Sequence, residues 1–430
     1  MSPSPVLSRV LRVPLILLAA ALPYLVFLHL PLISDDYLQI TLSRDFLSAE
    51  GTRDLLSDAL YRCRATSLAF THAIDLVASA DPVAHRWGSI VLHALNGCII
   101  VLFGSWPVIG YRRAFAAAVA FLLLPTYHEA VVWIAAVHDL LLFGFAMSSL
   151  LCWIHWLWER RSKWLYASLA LFLLALASKE SAVVLPALIL GAWWIERSKV
   201  RKDLGVVAVA FAASVGYTLL VFQASDHHLH LHDGTFSLNA PVVANVIRTL
   251  FLIWMPWGFL AALYLLWKRR GRELFAALTF SVVVLLPYCF LTHSLAAPSR
   301  HRYWASVAVA FLLASAFDAL RSSSRRAGPI AAWAGAAVLV LSGPLWLLPE
   351  ERVQYLNRAA VTEDFLQFAR SQQSPVWVGK TPLRAEVYDS AARIALGWKP
   401  GEVRSVEDEM PPAGRPVFNY GSSFRIEPLQ

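Results

Sequence analysis

The chain has 430 residues, of which 58% are apolar and 15% are charged, and its mean hydropathy is +0.55. This composition excludes an ordinary soluble globular domain and predicts an all-α polytopic membrane protein. The net charge of +8 does not indicate a nucleic-acid-binding protein, because the basic residues occur in short clusters between apolar runs, a pattern typical of membrane topology.

The apolar stretches of the chain predict its membrane spans. The first stretch, at residues 13–33, is longer than the apolar region of a secretory signal and has no small-residue cleavage site before Asp35, so we predict an uncleaved signal anchor. A transmembrane helix needs about 20 apolar residues, and fewer where partner helices shelter its ends. We predict eleven spans, at residues 12–31, 87–106, 113–125, 138–158, 164–178, 181–196, 204–222, 245–267, 273–291, 304–320 and 329–348.

Positive charge predicts the orientation of these spans. Basic clusters, from Arg112 and Arg113 to Arg321, Arg325 and Arg326, fall in every second interval between spans. Because short cytoplasmic loops carry the excess of Lys and Arg, we expect a cytoplasmic amino terminus and an extracytoplasmic carboxyl terminus.

The predicted outer face receives every segment with candidate chemistry. These segments are a first loop at residues 32–86, a connection at 126–137, and loops at 223–244 and 292–303. Residues 349–430 are less apolar and contain "PVWVGK" and "RPVFNYGS", which have the pattern of short strands. We therefore expect a membrane domain at 1–348 and a small extracytoplasmic α/β domain at 349–430.

Two adjacent aspartates, Asp35 and Asp36, follow the first span in "LISDDYLQ". A carboxylate beside a bilayer can act as general base toward an acceptor hydroxyl, and a pair can hold a divalent cation. Alternatively, "SDDY" caps an interfacial helix whose dipole favours negative charge in its first turn. The two interpretations are compatible, because a cap also holds a catalytic side chain rigidly. Asp35 is our first candidate, since it is nearer the end of the span.

A second group of ionisable residues lies in "LPTYHEAVVWIAAVHDLLL", on the same predicted face. His128, Glu129, His138 and Asp139 occur there, in a connection too short to form a soluble domain. Ionisable groups at membrane depth usually face a cavity. The alternative is that His128 and Glu129 mark a wet loop and that Asp139 caps the next helix.

Several basic residues on the predicted outer face do not follow the positive-inside trend. They need another reason to be there, and an anionic partner such as a lipid-linked phosphate supplies one. In "SKES", the alternative to phosphate binding is that Lys179 forms an ion pair with Glu180 where a helical hairpin breaks. The candidate phosphate ligands are Arg62, Arg64, Lys179, Arg300 and Arg302.

The loop "DHHLHLHD" supplies weaker candidate metal ligands. Alternation in an extended strand puts His228, His230 and His232 on one face, a geometry suited to a transition metal. A solvated loop is the alternative, because this spacing is less specific than that of a zinc ribbon. The four cysteines, three of them in apolar runs, indicate no disulfide framework.

The order of these segments resembles that of the GT-C superfamily of polytopic glycosyltransferases, particularly the mannosyltransferases with tetratricopeptide tails and their bacterial relatives. The similarity covers residues 1–310. Its most specific part is the "P-x-x-x-E-A-V-x-W-I … D-L-L" run, and "KESAVVLP" and the H-x-x-N pattern of His93 and Asn96 add to it. The segments "SDDY", "YRCRATSLAF" and "SRHRYW" complete the order.

The resemblance implies a GT-C fold, with interfacial helices in the first outer loop and a polyprenyl-phosphate-linked sugar as donor. It assigns the catalytic base or acceptor-binding carboxylate to Asp35 or Asp36. It also implies a second acidic site at Glu129 and Asp139, beside His128, and makes the outer basic residues ligands of the lipid phosphate.

The chain departs from the family in two places. The family's first-loop arginine usually precedes proline, whereas Cys63 and Ala65 follow Arg62 and Arg64. The sequence therefore does not decide which of these two arginines is equivalent to the family's arginine. The segment after residue 349 has no tetratricopeptide pattern, so binding of partners through such repeats is not expected.

The leading hypothesis is inverting transfer of a sugar from a polyprenyl-phosphate donor to an extracytoplasmic acceptor at a bacterial inner membrane. A flippase of a lipid-linked saccharide is the alternative, and it predicts charges at mid-membrane depth and broken helices. A third hypothesis is a GT-C relative that binds without catalysis. The sequence does not decide whether a divalent cation is a cofactor. A nucleic-acid partner is not expected.

Overall fold

The computed structural model describes residues 12–49, 51–53, 58–196, 204–223, 236–292, 294–324, 326–343, 348–412 and 415–420, and it is mostly helical. Helices α1 to α10 are Arg12–Ala21, Asp35–Phe46, Ala59–Ala78, Pro82–Leu102, Tyr111–Leu123, His128–Val132, Val137–Glu159, Ser162–Leu176, Leu185–Glu196 and Leu204–Gln223. Helices α11 to α17 are Val242–Trp254, Trp257–Trp267, Gly271–Leu285, Ser306–Arg321, Ala327–Ser342, Leu348–Arg370 and Ala385–Leu396.

The apolar helices make this an integral membrane protein. Three helical stretches, Pro82–Ser105, Ile134–Glu159 and Gly271–Phe290, are long and apolar enough to cross a bilayer, and two bent helix pairs pass the same test. Four shorter apolar helices accompany them, at Val13–Phe27, Ser162–Leu176, Gly205–Leu220 and Ala327–Ser342. The count of eleven spans and the orientation of the termini stay predictions.

The predicted span at 245–267 is wrong as one continuous helix. Helices α11 and α12 form it, and they are bent by 87° at a break that contains Pro256. Proline has no backbone N–H and its ring clashes with the preceding turn, so the helix ends before it. The other bent pair joins α5 to Pro125–Val132 at 55°, and it too has a proline at the break.

Helix α7 lies at the centre of the apolar bundle, where it packs against α4, α8 and α9. This packing holds the first turn of α7 in place, and His138 and Asp139 in that turn are buried. The first loop contributes helices α2 and α3, which pack against each other. Helices are thus present in that loop, and their interfacial position stays a prediction.

The segment after residue 347 packs on the first loop. It comprises α16, α17 and a parallel sheet of strands β1 (Val376–Val378), β2 (Val403–Ser405) and β3 (Val417–Phe418), in the order β2–β1–β3. Tyr37 and Ile40 of α2 share a hydrophobic core with Phe365 and Tyr388 of this segment. The carboxyl-terminal segment is thereby held against the aspartate pair.

Candidate functional site

A buried arginine holds the backbone between the first helix and the aspartate pair. The Arg86 guanidinium donates hydrogen bonds to the carbonyl oxygens of Leu28 (3.2 Å), Leu30 and Pro31 (2.6 Å). Carbonyl groups past the end of a helix lack helical partners, and the arginine supplies their donors. Arg86 was not among the residues predicted from the sequence, although a fully buried arginine always needs such partners.

Asp36 is fully buried and both of its carboxylate oxygens are used. One accepts the backbone N–H of Ile33 at 2.9 Å and the other accepts that of Ala135 at 2.9 Å. Burial raises the pKa of Asp36 to about 6, against the lowering effects of Arg86 and the two N–H groups, so the carboxylate is charged at pH 7.5. Asp36 lies in the first turn of α2 and thus ties the chain just before this helix to the segment before α7, while Ser34 makes no side-chain cap bond.

We expect Asp36→Asn to lower the free energy of unfolding by about 2 to 4 kcal/mol, because the amide would face a backbone N–H with a second donor. Asp45→Asn on the same helix is the matched control, since Asp45 pairs with Arg393 at a more exposed position. Thermal unfolding in detergent measures both variants. Equal losses in the two variants would contradict this structural role of Asp36.

Asp35 differs from its neighbour in exposure and in hydrogen bonding. It is half-buried, and its carboxylate accepts no hydrogen bond from the described residues. Burial raises the pKa of Asp35, and the charges of Arg358, Arg300 and Arg384 act in the opposite direction. The carboxylate is therefore partly exposed, has no hydrogen-bond donor among the described residues, and feels the charges of three arginines.

Glu129 holds two of these arginines in place. Arg358 Nη1 donates to Glu129 Oε1 at 3.0 Å, and Arg300 approaches Oε2 with its backbone N–H at 3.3 Å and with Nη1 at 3.5 Å. The guanidiniums of Arg358 and Arg300 also lie 4.4 and 4.8 Å from the ring centre of Trp133. One carboxylate and one aromatic ring thus position both cations beside Asp35.

His128 and Arg302 flank this group on the side of α16. His128 Nδ1 lies 2.8 Å from the Tyr355 hydroxyl, and its Nε2 is 3.8 Å from Glu351. Arg302 Nε donates to the carbonyl oxygen of Ala297 at 2.8 Å. The carboxyl-terminal segment therefore contributes Arg358, a residue that the sequence did not single out, and also Tyr355 and Glu351, the two polar partners of His128.

Asp139 belongs to a separate buried cluster. Lys179 Nζ lies 2.6 Å from Asp139 Oδ1 and 2.9 Å from His301 Nδ1, and His138 Nε2 is 3.2 Å from Asp139 Oδ2. The His301 ring stacks on Tyr288, with ring centres 4.4 Å apart. Burial lowers the pKa of Lys179, and the nearby Asp139 carboxylate raises it in part. The resulting pKa is about 8, so the ammonium is charged at pH 7.

One turn of the chain connects the two clusters. Its Arg300 side chain reaches Glu129, and the next residue, His301, reaches Lys179. The Tyr303 hydroxyl just after this turn lies 2.8 Å from His93 Nδ1 and accepts a hydrogen bond from Asn96 at 3.0 Å. The H-x-x-N pattern therefore anchors the turn inside the bundle.

The two arginines of the first loop have different surroundings. Arg62 donates to the backbone carbonyls of Asp58 and Leu220, each at 3.4 Å. Arg64 lies near the second cluster, where its charge opposes the protonation of Lys179. Its guanidinium makes no hydrogen bond or ion pair with the residues that the structure describes.

The candidate metal ligands are not assembled in the described part of the chain. His228, His230 and His232 lie outside it. Among the described residues, no group of three or more His, Cys, Asp or Glu side chains has a geometry that could hold a metal ion.

No protein-family model and no curated protein sequence matches the chain. Its structure is similar to that of ArnT from Cupriavidus metallidurans bound to undecaprenyl phosphate, with 14% identity, a TM-score of 0.53, and coverage of 92% of this chain and 90% of ArnT. It is also similar to the archaeal oligosaccharyltransferase AglB from Archaeoglobus fulgidus in complex with an inhibitory peptide and a dolichol-phosphate, with 11% identity and a TM-score of 0.50, over 90% of this chain and 64% of AglB. Both neighbours have the GT-C fold, so the predicted GT-C fold is confirmed.

Proposed function

We propose that this chain with a GT-C fold is an integral-membrane glycosyltransferase that moves a sugar from a polyprenyl-phosphate donor to an extracytoplasmic acceptor. The fold supports the proposal, because ArnT with the same fold is bound to undecaprenyl phosphate. The observation that carries it is the Asp35 carboxylate, which accepts no hydrogen bond from the described residues and whose pKa is lowered by the charges of Arg358, Arg300 and Arg384.

Asp35 is the general base in this proposal. It removes the proton from the acceptor hydroxyl while the hydroxyl oxygen attacks the anomeric carbon from the face opposite the phosphate, which inverts the configuration. A base is most effective when its pKa is near the working pH, and burial raises the pKa of Asp35 in that direction. Asp36, with both oxygens occupied, has the positioning role.

Arg300 and Arg358 bind the donor phosphate and stabilise it as it leaves. The phosphate departs as a stable anion, so cations can assist it without a proton donor. Glu129 balances one of the two guanidiniums and leaves one positive charge for the phosphate. The planar fork of arginine suits bidentate binding of that group.

Lys179 has a different role from the one first expected of an outer basic residue. It is 1% exposed and paired with Asp139, so no face of the ammonium is open to a phosphate. We assign it to positioning His301 and, through the turn, Arg300. Among the outer basic residues, we assign Arg64 of the first loop, and not Lys179, as a ligand of the phosphate.

We expect Arg64→Gln to raise the KM for the donor about tenfold or more, since a hydrogen bond to a charged group contributes roughly 1.5 to 3 kcal/mol. Arg62→Gln should have a smaller effect, because Arg62 is used by two backbone carbonyls. Steady-state kinetics with a polyprenyl-phosphate sugar compares the variants. A larger effect at Arg62 would reverse this assignment.

A flippase of a lipid-linked saccharide is the second candidate function. The two bent helix pairs, at 55° and 87°, favour it, because broken helices are common at the substrate sites of transporters. The transferase is preferred, since a flippase has no use for an accessible carboxylate among arginines.

Envelope glycans test the proposal in cells. Mass analysis should find a missing sugar in a strain that lacks the gene, restored by the wild-type gene and not by Asp35→Asn. An unchanged glycan profile in the deletion strain, or full restoration by the variant, would contradict the proposal.

A further inference from the structure

An elongated cavity of about 540 Å³ lies between α5, α12, α14 and α15. It shares no lining residue with the site around Asp35. The cavity exists because many residues along its walls are small, among them Ala116, Ala120, Ala314, Ala332 and Gly335. Larger apolar residues such as Tyr264 and Trp333 complete the lining, so the cavity suits an apolar chain.

The length of the cavity matches one leaflet of a bilayer. Its lining follows α5 from Arg112 to Leu123, which spans about 16 Å at 1.5 Å per residue. The hydrocarbon core of a bilayer is about 30 Å thick, so half of it is about 15 Å. At the Leu123 end the helices meet, because a Cβ added to Gly343, the residue just after α15, would lie 3.0 Å from the Leu123 carbonyl oxygen.

Positive charge gathers at the other end of the cavity. Arg112, Arg113 and Arg321 are among its lining residues, together with a single acidic residue, Asp318. The three guanidiniums form no ion pair with any residue that the structure describes, and Arg113 Nε is buried without a hydrogen-bond partner there. The positive-inside pattern explains basic residues at this end, but not their convergence on one cavity.

We propose that this cavity binds an anionic phospholipid from the leaflet on the predicted cytoplasmic side. One acyl chain lies along the small residues of α5, α14 and α15, and the headgroup phosphate contacts the three arginines. The excess of positive charge disfavours a zwitterionic headgroup, whose amine would be repelled. The proposal is independent of the transferase function, because it concerns the opposite end of the bundle.

Native mass spectrometry of the full chain with phosphatidylglycerol and phosphatidylcholine of equal chain length tests the headgroup. We expect tighter retention of phosphatidylglycerol. The triple variant Arg112→Gln, Arg113→Gln, Arg321→Gln should lower its affinity tenfold or more, since each basic residue near an anionic headgroup contributes about fivefold. The double variant Arg160→Gln, Arg161→Gln, whose residues do not line the cavity, is the matched control and should retain the preference.

Gly335→Leu tests the apolar part of the cavity. A Cβ at Gly335 meets nothing within 4 Å, so the new side chain enters the cavity without a clash and competes with the acyl chain. We expect it to reduce retention of phosphatidylglycerol. Gly191→Leu is the control, because its Cβ also has open space but does not line the cavity.

Three results would overturn the proposal. The first is equal retention of the two lipids by the wild type. The second is unchanged retention in both the arginine and Gly335→Leu variants. The third is displacement of phosphatidylglycerol by equimolar undecaprenyl phosphate, which would make the cavity a carrier-lipid site.

Discussion

The Asp35→Asn variant is expected to lose about 10³-fold in kcat, while its free energy of unfolding changes by less than about 1 kcal/mol. The loss follows because the amide cannot accept the proton of the acceptor hydroxyl. Stability is preserved because the Asp35 carboxylate accepts no hydrogen bond from the described residues. Transfer of radiolabelled sugar and thermal unfolding in detergent measure the two quantities.

The comparison with Asp36→Asn makes this test specific. That variant should lose stability, since Asp36 holds the backbone N–H groups of Ile33 and Ala135. If Asp35→Asn keeps activity within about tenfold of wild type, Asp35 is not the base. If the two variants lose stability equally, the division between a reactive and a structural aspartate is wrong.

The Arg358→Gln variant is expected to lower kcat/KM for the donor by about 10²-fold. Arg358 contacts Glu129 at 3.0 Å and packs on Trp133, so its loss removes a phosphate ligand and leaves Glu129 with Arg300 alone. The change also alters the environment of Asp35, whose pKa Arg358 lowers.

The pH dependence of the same variant has a definite sign. The base acts when deprotonated, so activity rises with pH through the pKa of Asp35. Removing Arg358 removes a lowering influence on that pKa, and the acidic limb of the pH–rate profile should move to higher pH. A merely structural role would reduce activity at every pH without moving the limb.

Arg393→Gln is the matched control for Arg358→Gln. Both arginines belong to the carboxyl-terminal segment, have similar exposure, and pair with a carboxylate of the membrane domain or first loop. Arg393 pairs with Asp45 at 3.2 Å and is not among the charges that act on Asp35. We expect its pH profile to match the wild type, and a shift as large as that of Arg358→Gln would contradict the assignment.

The sequence predicted the parts of the fold that depend on local pattern. Apolar length predicted the helices, and the order of short motifs predicted the GT-C fold. The break at Pro256 was missed, although a proline within an apolar run is itself a signal for a helix end. Proline alone does not determine where a membrane helix ends, because a sheltered helix tolerates proline in a membrane.

The site was predictable only where its residues lie in motifs. Asp35, Glu129 and Arg300 lie in such motifs, and the structure places Arg300 against Glu129. Arg358 was missed because it contacts a residue 229 positions away and lies in an ordinary polar helix. The partner of Lys179 was likewise invisible, since the packing of distant helices determines that Asp139, and not a lipid phosphate, neutralises it.

Proteoliposomes loaded with a radiolabelled undecaprenyl-phosphate sugar test the central claim most directly. With an extract of envelope acceptors on the outer face, wild-type protein should move the label from lipid to acceptor, and Asp35→Asn should not. Label that crosses to the other leaflet with its phosphate bond intact, in the wild type and in Asp35→Asn alike, would contradict the transferase and favour the flippase.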